Sequence, residues 1–137
     1  MARTALYSAQ SVRNSGTPLG AGATPDATNG NIYANPGPFK SEIFIHNGDS
    51  SAHNVIVRAS GYAGVATGAA NSGATGTQYQ PFAEASVGDL TVTIAATSYL
   101  VLASLEGDRF AQSDGSLWLD WSASTSITVW IRQGPYL

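Results

Sequence analysis

Several segments of the chain alternate apolar and polar side chains with period two, and none repeats apolar residues at the three-and-four spacing of a helix. Ile43 and Ile45 alternate with Glu42, Phe44 and His46, Val55 and Val57 with Ile56 and Arg58, and Leu90, Val92 and Ile94 with Thr91 and Thr93. Each set predicts a strand with one face in a core. Tyr99 to Leu105 is apolar on both faces, which predicts a central strand or one covered by a partner. The expected architecture is all-β, a β-sandwich or jelly-roll-like barrel.

Turn chemistry suggests how the strands pair. Asn47-Gly48-Asp49-Ser50 follows the first of them, and an Asn-Gly pair tolerates the positive φ of tight turns, so the first two strands are expected to form a hairpin whose loop runs to about His53. Ser113-Asp114-Gly115-Ser116 predicts a second hairpin between Arg109–Gln112 and Leu117–Trp121, with Gly115 at positive φ. A turn at Ser122-Ala123-Ser124 would set Leu117, Leu119 and Trp121 across a ladder from Val129, Ile127 and Thr125. Trp118, Asp120, Thr128, Trp130 and Arg132 then share the opposite face, with the two tryptophans as diagonal neighbours.

Residues 1–137 fit one β domain, with 1–40 as an N-terminal arm or loop region and 61–86 as a long loop. Asn14 to Pro38 and Gly61 to Ser86 are rich in Gly, Ala, Thr, Asn and Pro, and both exceed the roughly 12–15 residues beyond which structureless loops are uncommon. Such stretches read either as plain disorder or as extended arms and loops that order against neighbouring chains, and the second reading is the one expected here. Ile32, Tyr33, Phe39, Tyr62, Tyr79 and Phe82 are their candidate anchors at a protein interface, beside Trp118, Trp130 and Arg132.

Charged residues make up only 11% of the chain and Lys40 is its one lysine, a composition closer to an interface than to a freely exposed surface. A neutral, robust β domain would show the same bias. The net charge of −3 and the dispersed arginines at 3, 13, 58, 109 and 132 argue against a nucleic-acid partner. Cysteine is absent, so disulfides, thiolate metal sites and a cysteine nucleophile are excluded. No apolar run approaches the ~18 residues of a membrane span, and Met1 to Gln10 has no apolar signal region, so neither a membrane partner nor export is expected.

Catalytic chemistry finds little support. His46, His53 and Asp49 match no metal spacing and read as solvated groups beside a turn. Glu106, Asp108, Asp114 and Asp120 fit neither a calcium loop nor a glycosidase pair, and Asp108 and Asp114 read as turn residues. Neither a Gly-x-Ser-x-Gly elbow nor a phosphate loop is present. No enzyme activity, catalytic residue or cofactor is therefore expected. Two outward indoles, Trp118 and Trp130, could instead form a sugar-stacking platform, as in carbohydrate-binding modules, unless a second sheet or subunit covers them.

The opening Met1-Ala2-Arg3-Thr4, the segment IFIHNGDSSAHNVIVR from Ile43, the run DRFAQSDGSLWLDW from Asp108 and the closing ITVWIRQGP from Ile127 resemble small virion proteins of actinobacterial tailed bacteriophages. The long Gly61–Ser86 segment departs from that pattern. The resemblance implies a capsid decoration (cement) or minor capsid protein, or else a head-to-tail or tail accessory protein. Its partners would be the major capsid protein or other virion proteins. It also implies a homo-oligomer, with a trimer as one form, made in the host cytoplasm and placed on the capsid surface.

Overall fold

The computed structural model describes residues 2–10, 19–34, 41–59, 89–103, 105, 110–112 and 114–133. Strands there are, in chain order, β1 (Thr4–Leu6), β2 (Ser8–Gln10), β3 (Asn31–Tyr33), β4 (Ser41–Asn47), β5 (His53–Val57), β6 (Leu90–Ile94), β7 (Ser98–Ala103), β8 (Leu117–Trp121) and β9 (Ile127–Gln133). They form two sheets, ordered β1-β3-β8-β5-β6 and β2-β9-β4-β7. The fold is an all-β sandwich.

Period-two alternation builds the core. Ser41, Ile43, Ile45 and Asn47 of β4 are buried while the residues between them are half-exposed, and β8 and the first five residues of β9 repeat the pattern. Ile43, Ile45, Ile127, Val129 and Ile131 of one sheet meet Val55, Val57, Ile94, Leu117, Leu119 and Trp121 of the other. Fully burying such a side chain contributes about 1.5–3 kcal/mol, so this interface is the main source of stability.

Connectivity differs from the hairpins expected above. β4 pairs with β7 and β9, whereas β5 pairs with β6 and β8, so residues 48–52 form an arch from one sheet to the other. Gly48 does not take a positive φ. Instead Asn47, fully buried, donates from Nδ2 to the carbonyls of Ser51, Ile94 and Ala95, and its Oδ1 accepts the Asp49 amide. The β8–β9 connection is likewise an arch, because β8 lies in the five-stranded sheet and β9 in the four-stranded one. A third arch joins β6 to β7. Backbone bonds lock the three together at one end, from Gly48 N to Ser126 O at 2.8 Å and from Thr97 N to Asp49 O at 3.0 Å.

The turn before β8 forms as expected, with Gly115 at φ 80° and the Gly115 amide donating to Gln112 O. Residues 110–112 are not a strand, however, and β8 pairs with β3 and β5. The 1–40 region is not an arm throughout, since β1 and β3 pair in parallel inside the five-stranded sheet and β2 pairs with β9. Residues 61–86 lie outside the described residues.

Candidate docking face

The outer face of the four-stranded sheet consists of three cross-strand rows. Tyr99, His46 and Thr128 form the first, Val101, Phe44 and Trp130 the second, and Ala103, Glu42 and Arg132 the third. The middle row is wholly apolar. His46 and Tyr99 stack with ring centroids 4.3 Å apart, and Arg132 pairs with Glu42 while its guanidinium lies 5.6 Å from the Phe44 ring centre. His46, Tyr99, Glu42 and Arg132 thus have partners on the face itself, and Val101 is the most exposed member of the apolar row.

β7 closes this sheet as an edge strand, not the central strand that its two apolar faces suggested. Its inward Leu102 is buried, but Tyr99 is 73% exposed and Val101 50% exposed. Ser98–Ala103 carries no charge and no proline. Trp130 is better sheltered, because Gly22, at φ 76°, lets the chain pass where a Cβ would stand 2.7 Å from the indole, and the Trp130 Nε1–H donates to Gly20 O at 3.1 Å. Beside it a recess of about 310 Å³ includes Tyr7 and Leu19, both exposed.

The five-stranded sheet presents a different outer surface. Asp120 accepts from Arg3 Nη1 and from Arg58 Nε, each at 2.5 Å, and Arg58 also bonds Asp89 at 2.7 Å. Burial raises the Asp120 carboxyl, but the hydrogen bonds and charges of Arg3 and Arg58 outweigh it and hold the group below its ordinary range. Arg3 also lies over the Trp118 ring, 4.8 Å from its centre, and Trp118 Nε1 donates to the Ser116 hydroxyl. Asp26 organises the neighbouring turn, accepting from the Thr4 hydroxyl and from the Thr28 and Asn29 amides, bonds that keep its carboxyl well below the ordinary value.

Trp118 and Trp130 thus point outward as expected, but from different sheets and on opposite faces of the sandwich, so they form no joint platform. Tyr33 is a core residue at 3% exposure, its hydroxyl within 3.2 Å of Ser41 Oγ, and is not a surface anchor. Arg132 lies on the outer face of the four-stranded sheet, and Ile32 is half-buried beside Trp118. Phe39, Tyr62, Tyr79 and Phe82 lie outside the described residues. Phe44, His46, Tyr99 and Val101 also belong to the face, and the doubly apolar Tyr99–Leu105 run signals the last two of them. His53 bonds Asp49 at 2.8 Å, and among the described residues no group of three or more His, Asp or Glu is placed to hold a metal. No family model, curated protein or solved structure matches this chain.

Proposed function

We propose that this chain is a non-enzymatic structural protein of a tailed bacteriophage particle. In this reading it is a capsid decoration or minor capsid protein that docks on the major capsid lattice through the outer face of its four-stranded sheet. The observation that carries the reading is the uncharged edge strand β7, with Tyr99 and Val101 exposed beside Phe44. Natural proteins guard a sheet edge with charge, proline, a bulge, shortness or a cover. Ser98–Ala103 has neither charge nor proline and is six residues long, and among the described residues no further strand pairs with its free edge, which favours cover by a partner. The low charge content and the resemblance of the Ile43, Asp108 and Ile127 segments to phage virion proteins support the same reading. On a lattice that repeats each site, a modest contact of about 1,000–1,600 Å² per copy suffices to strengthen a shell.

The test is copy number and occupancy on purified particles. The parent protein should be present in many copies, and Val101→Lys should lower occupancy by about tenfold, equivalent to about 1.4 kcal/mol. The melting midpoint of the free variant should stay near that of the parent, because Val101 is half exposed. Full occupancy by Val101→Lys would remove β7 from the interface, and a handful of copies per particle would move the protein to the neck or tail.

A further inference from the structure

The outer face of the five-stranded sheet carries a cleft of about 560 Å³, walled by Arg3, Thr28, Asn29, Ile32, Trp118 and Asp120. That volume lies within the roughly 300–1,000 Å³ of small-molecule sites. We infer that this cleft binds a neutral saccharide. The inference does not rest on the docking reading, whose face belongs to the other sheet.

The chemistry of the wall sets the ligand class. Ile32 and Trp118 are cross-strand partners, and the part of their apolar surface that Arg3, lying over the Trp118 ring, leaves open is of the kind that the C–H face of a sugar ring covers. Arg3 directs Nη1 at Asn31 O, Leu119 O and Asp120 Oδ1, leaving Nε and Nη2 without a hydrogen bond among the described residues. The Thr28 hydroxyl and the Asn29 side-chain carbonyl are unspent in the same way, since Thr28 is engaged through its backbone amide and Asn29 through its backbone amide and Nδ2. A two-pronged donor, a hydroxyl and an amide oxygen on one rim match adjacent sugar hydroxyls, each of which both donates and accepts.

Charge argues for neutrality of the ligand. Arg3 is matched by Asp120, which also meets Arg58, and Arg58 is matched in turn by Asp89. An acid in the cleft would have to compete with Asp120 for the guanidinium. The site is also held in shape. Gly30, at φ 73°, lies so close to Arg3 Nη1 and Asp120 Oδ1 that a Cβ would collide with both, and the three bonds of Nη1 keep the guanidinium in place before any ligand arrives. Ordering costs on binding are correspondingly small.

The three tryptophans give the experiment its readout, as each contributes one indole N–H signal in a nitrogen-15 NMR spectrum of the whole chain. The probes are neutral gluco-, manno-, galacto- and arabino-oligosaccharides, with a uronic acid oligomer as the charged control. A saturable shift of the Trp118 signal with at least one neutral probe is expected, while Trp121 and Trp130 stay still. Ala27→Phe, which fills the cleft from an exposed turn position, should weaken that binding by about tenfold or more, and Thr28→Ala by about threefold or more. The inference is overturned if no neutral probe moves the Trp118 signal, if only the uronic acid oligomer does, or if the signal that moves is Trp130. It is equally overturned if both folded variants bind as well as the parent.

Discussion

Arg3 and Asp120, one beside the first strand and the other in the eighth, meet at 2.5 Å between Nη1 and Oδ1 and tie the start of the chain to the middle of the five-stranded sheet. This pair sets an acid limit. Asp120 is held below its ordinary value of 3.8 by Arg3 and Arg58 against the opposing effect of burial, and Asp49 and Asp114 are lowered by bonds from His53 and Ser116. A carboxyl depressed in the folded state adds stability that is fully present above 3.8 and is lost as pH falls through the lowered folded value. Melting midpoints should therefore be level near neutrality and drop below about pH 4. Asp120→Asn should lower the midpoint at pH 7 and flatten the acid decline. A decline as steep as the parent's would locate the acid sensitivity in Asp26, Asp49 and Asp114.

Gly30 and Gly115 both take positive φ, but only Gly30 is crowded, because nothing lies within 4 Å of a Cβ built on Gly115. Gly115→Ala should cost about 1–2 kcal/mol, the backbone penalty alone. Gly30→Ala adds a clash with the Arg3–Asp120 pair and should cost more, in the range of about 2–4 kcal/mol for strain and a disturbed ion pair together. Chemical denaturation of the two variants side by side checks the order, and equal losses would mean that the pair moves aside without penalty.

Asn47 donates to three carbonyls, of which Ser51 O and Ile94 O take no other side-chain bond among the described residues, while Ala95 O also accepts from the Ser98 hydroxyl at 2.6 Å. Asn47→Leu keeps the volume and removes the donors. At about 1–3 kcal/mol for each buried acceptor left without a partner, a total loss of at least about 2 kcal/mol is expected. Asn47→Asp should fail similarly, as a carboxylate cannot donate. A midpoint unchanged by either substitution would show that water takes over the arch.

These results show which parts of the fold the sequence discloses. The inward positions of β4, β5, β8 and β9 were legible because period two marks a face. It does not mark a neighbour, so Leu119 and Ile127 look alike whether their strands share a ladder or stack across a core. The supposed hairpins were therefore arches, and the two outward tryptophans came out on opposite sides. Strand β3 was hidden because it is three residues long and its first position is a fully buried asparagine, Asn31, whose side chain bonds Thr4 O and the Asp26 amide. The candidate docking face was half legible. Tyr99–Leu105 announced an apolar surface needing cover, but its edge position depends on pairing that local pattern does not encode.

Asp89 also joins the two flanks of the 60–88 segment, accepting the Ala59 amide at 2.6 Å and pairing with Arg58 where β5 ends and β6 begins. A short linker in place of residues 60–88 should leave the sandwich folded, with a melting midpoint at or above the parent's, because a shorter loop is less costly to close. Unfolding of that variant would mean that the segment supplies part of the core.

The arches also bear on how fast the molecule assembles. Of the strands named here, only β5 and β6 are both consecutive in the chain and hydrogen-bonded to each other, and residues 58–89 separate them. No tight hairpin among these strands is available to start folding, and each ladder must wait for a distant segment to arrive. Chains dominated by such remote pairings fold in about milliseconds to seconds, against microseconds to milliseconds for those rich in local contacts. Newly made chains consequently spend a long interval with the apolar β7 strand unpaired. Cutting 60–88 down would create the one local hairpin and should speed the refolding limb of a chevron more than it slows unfolding.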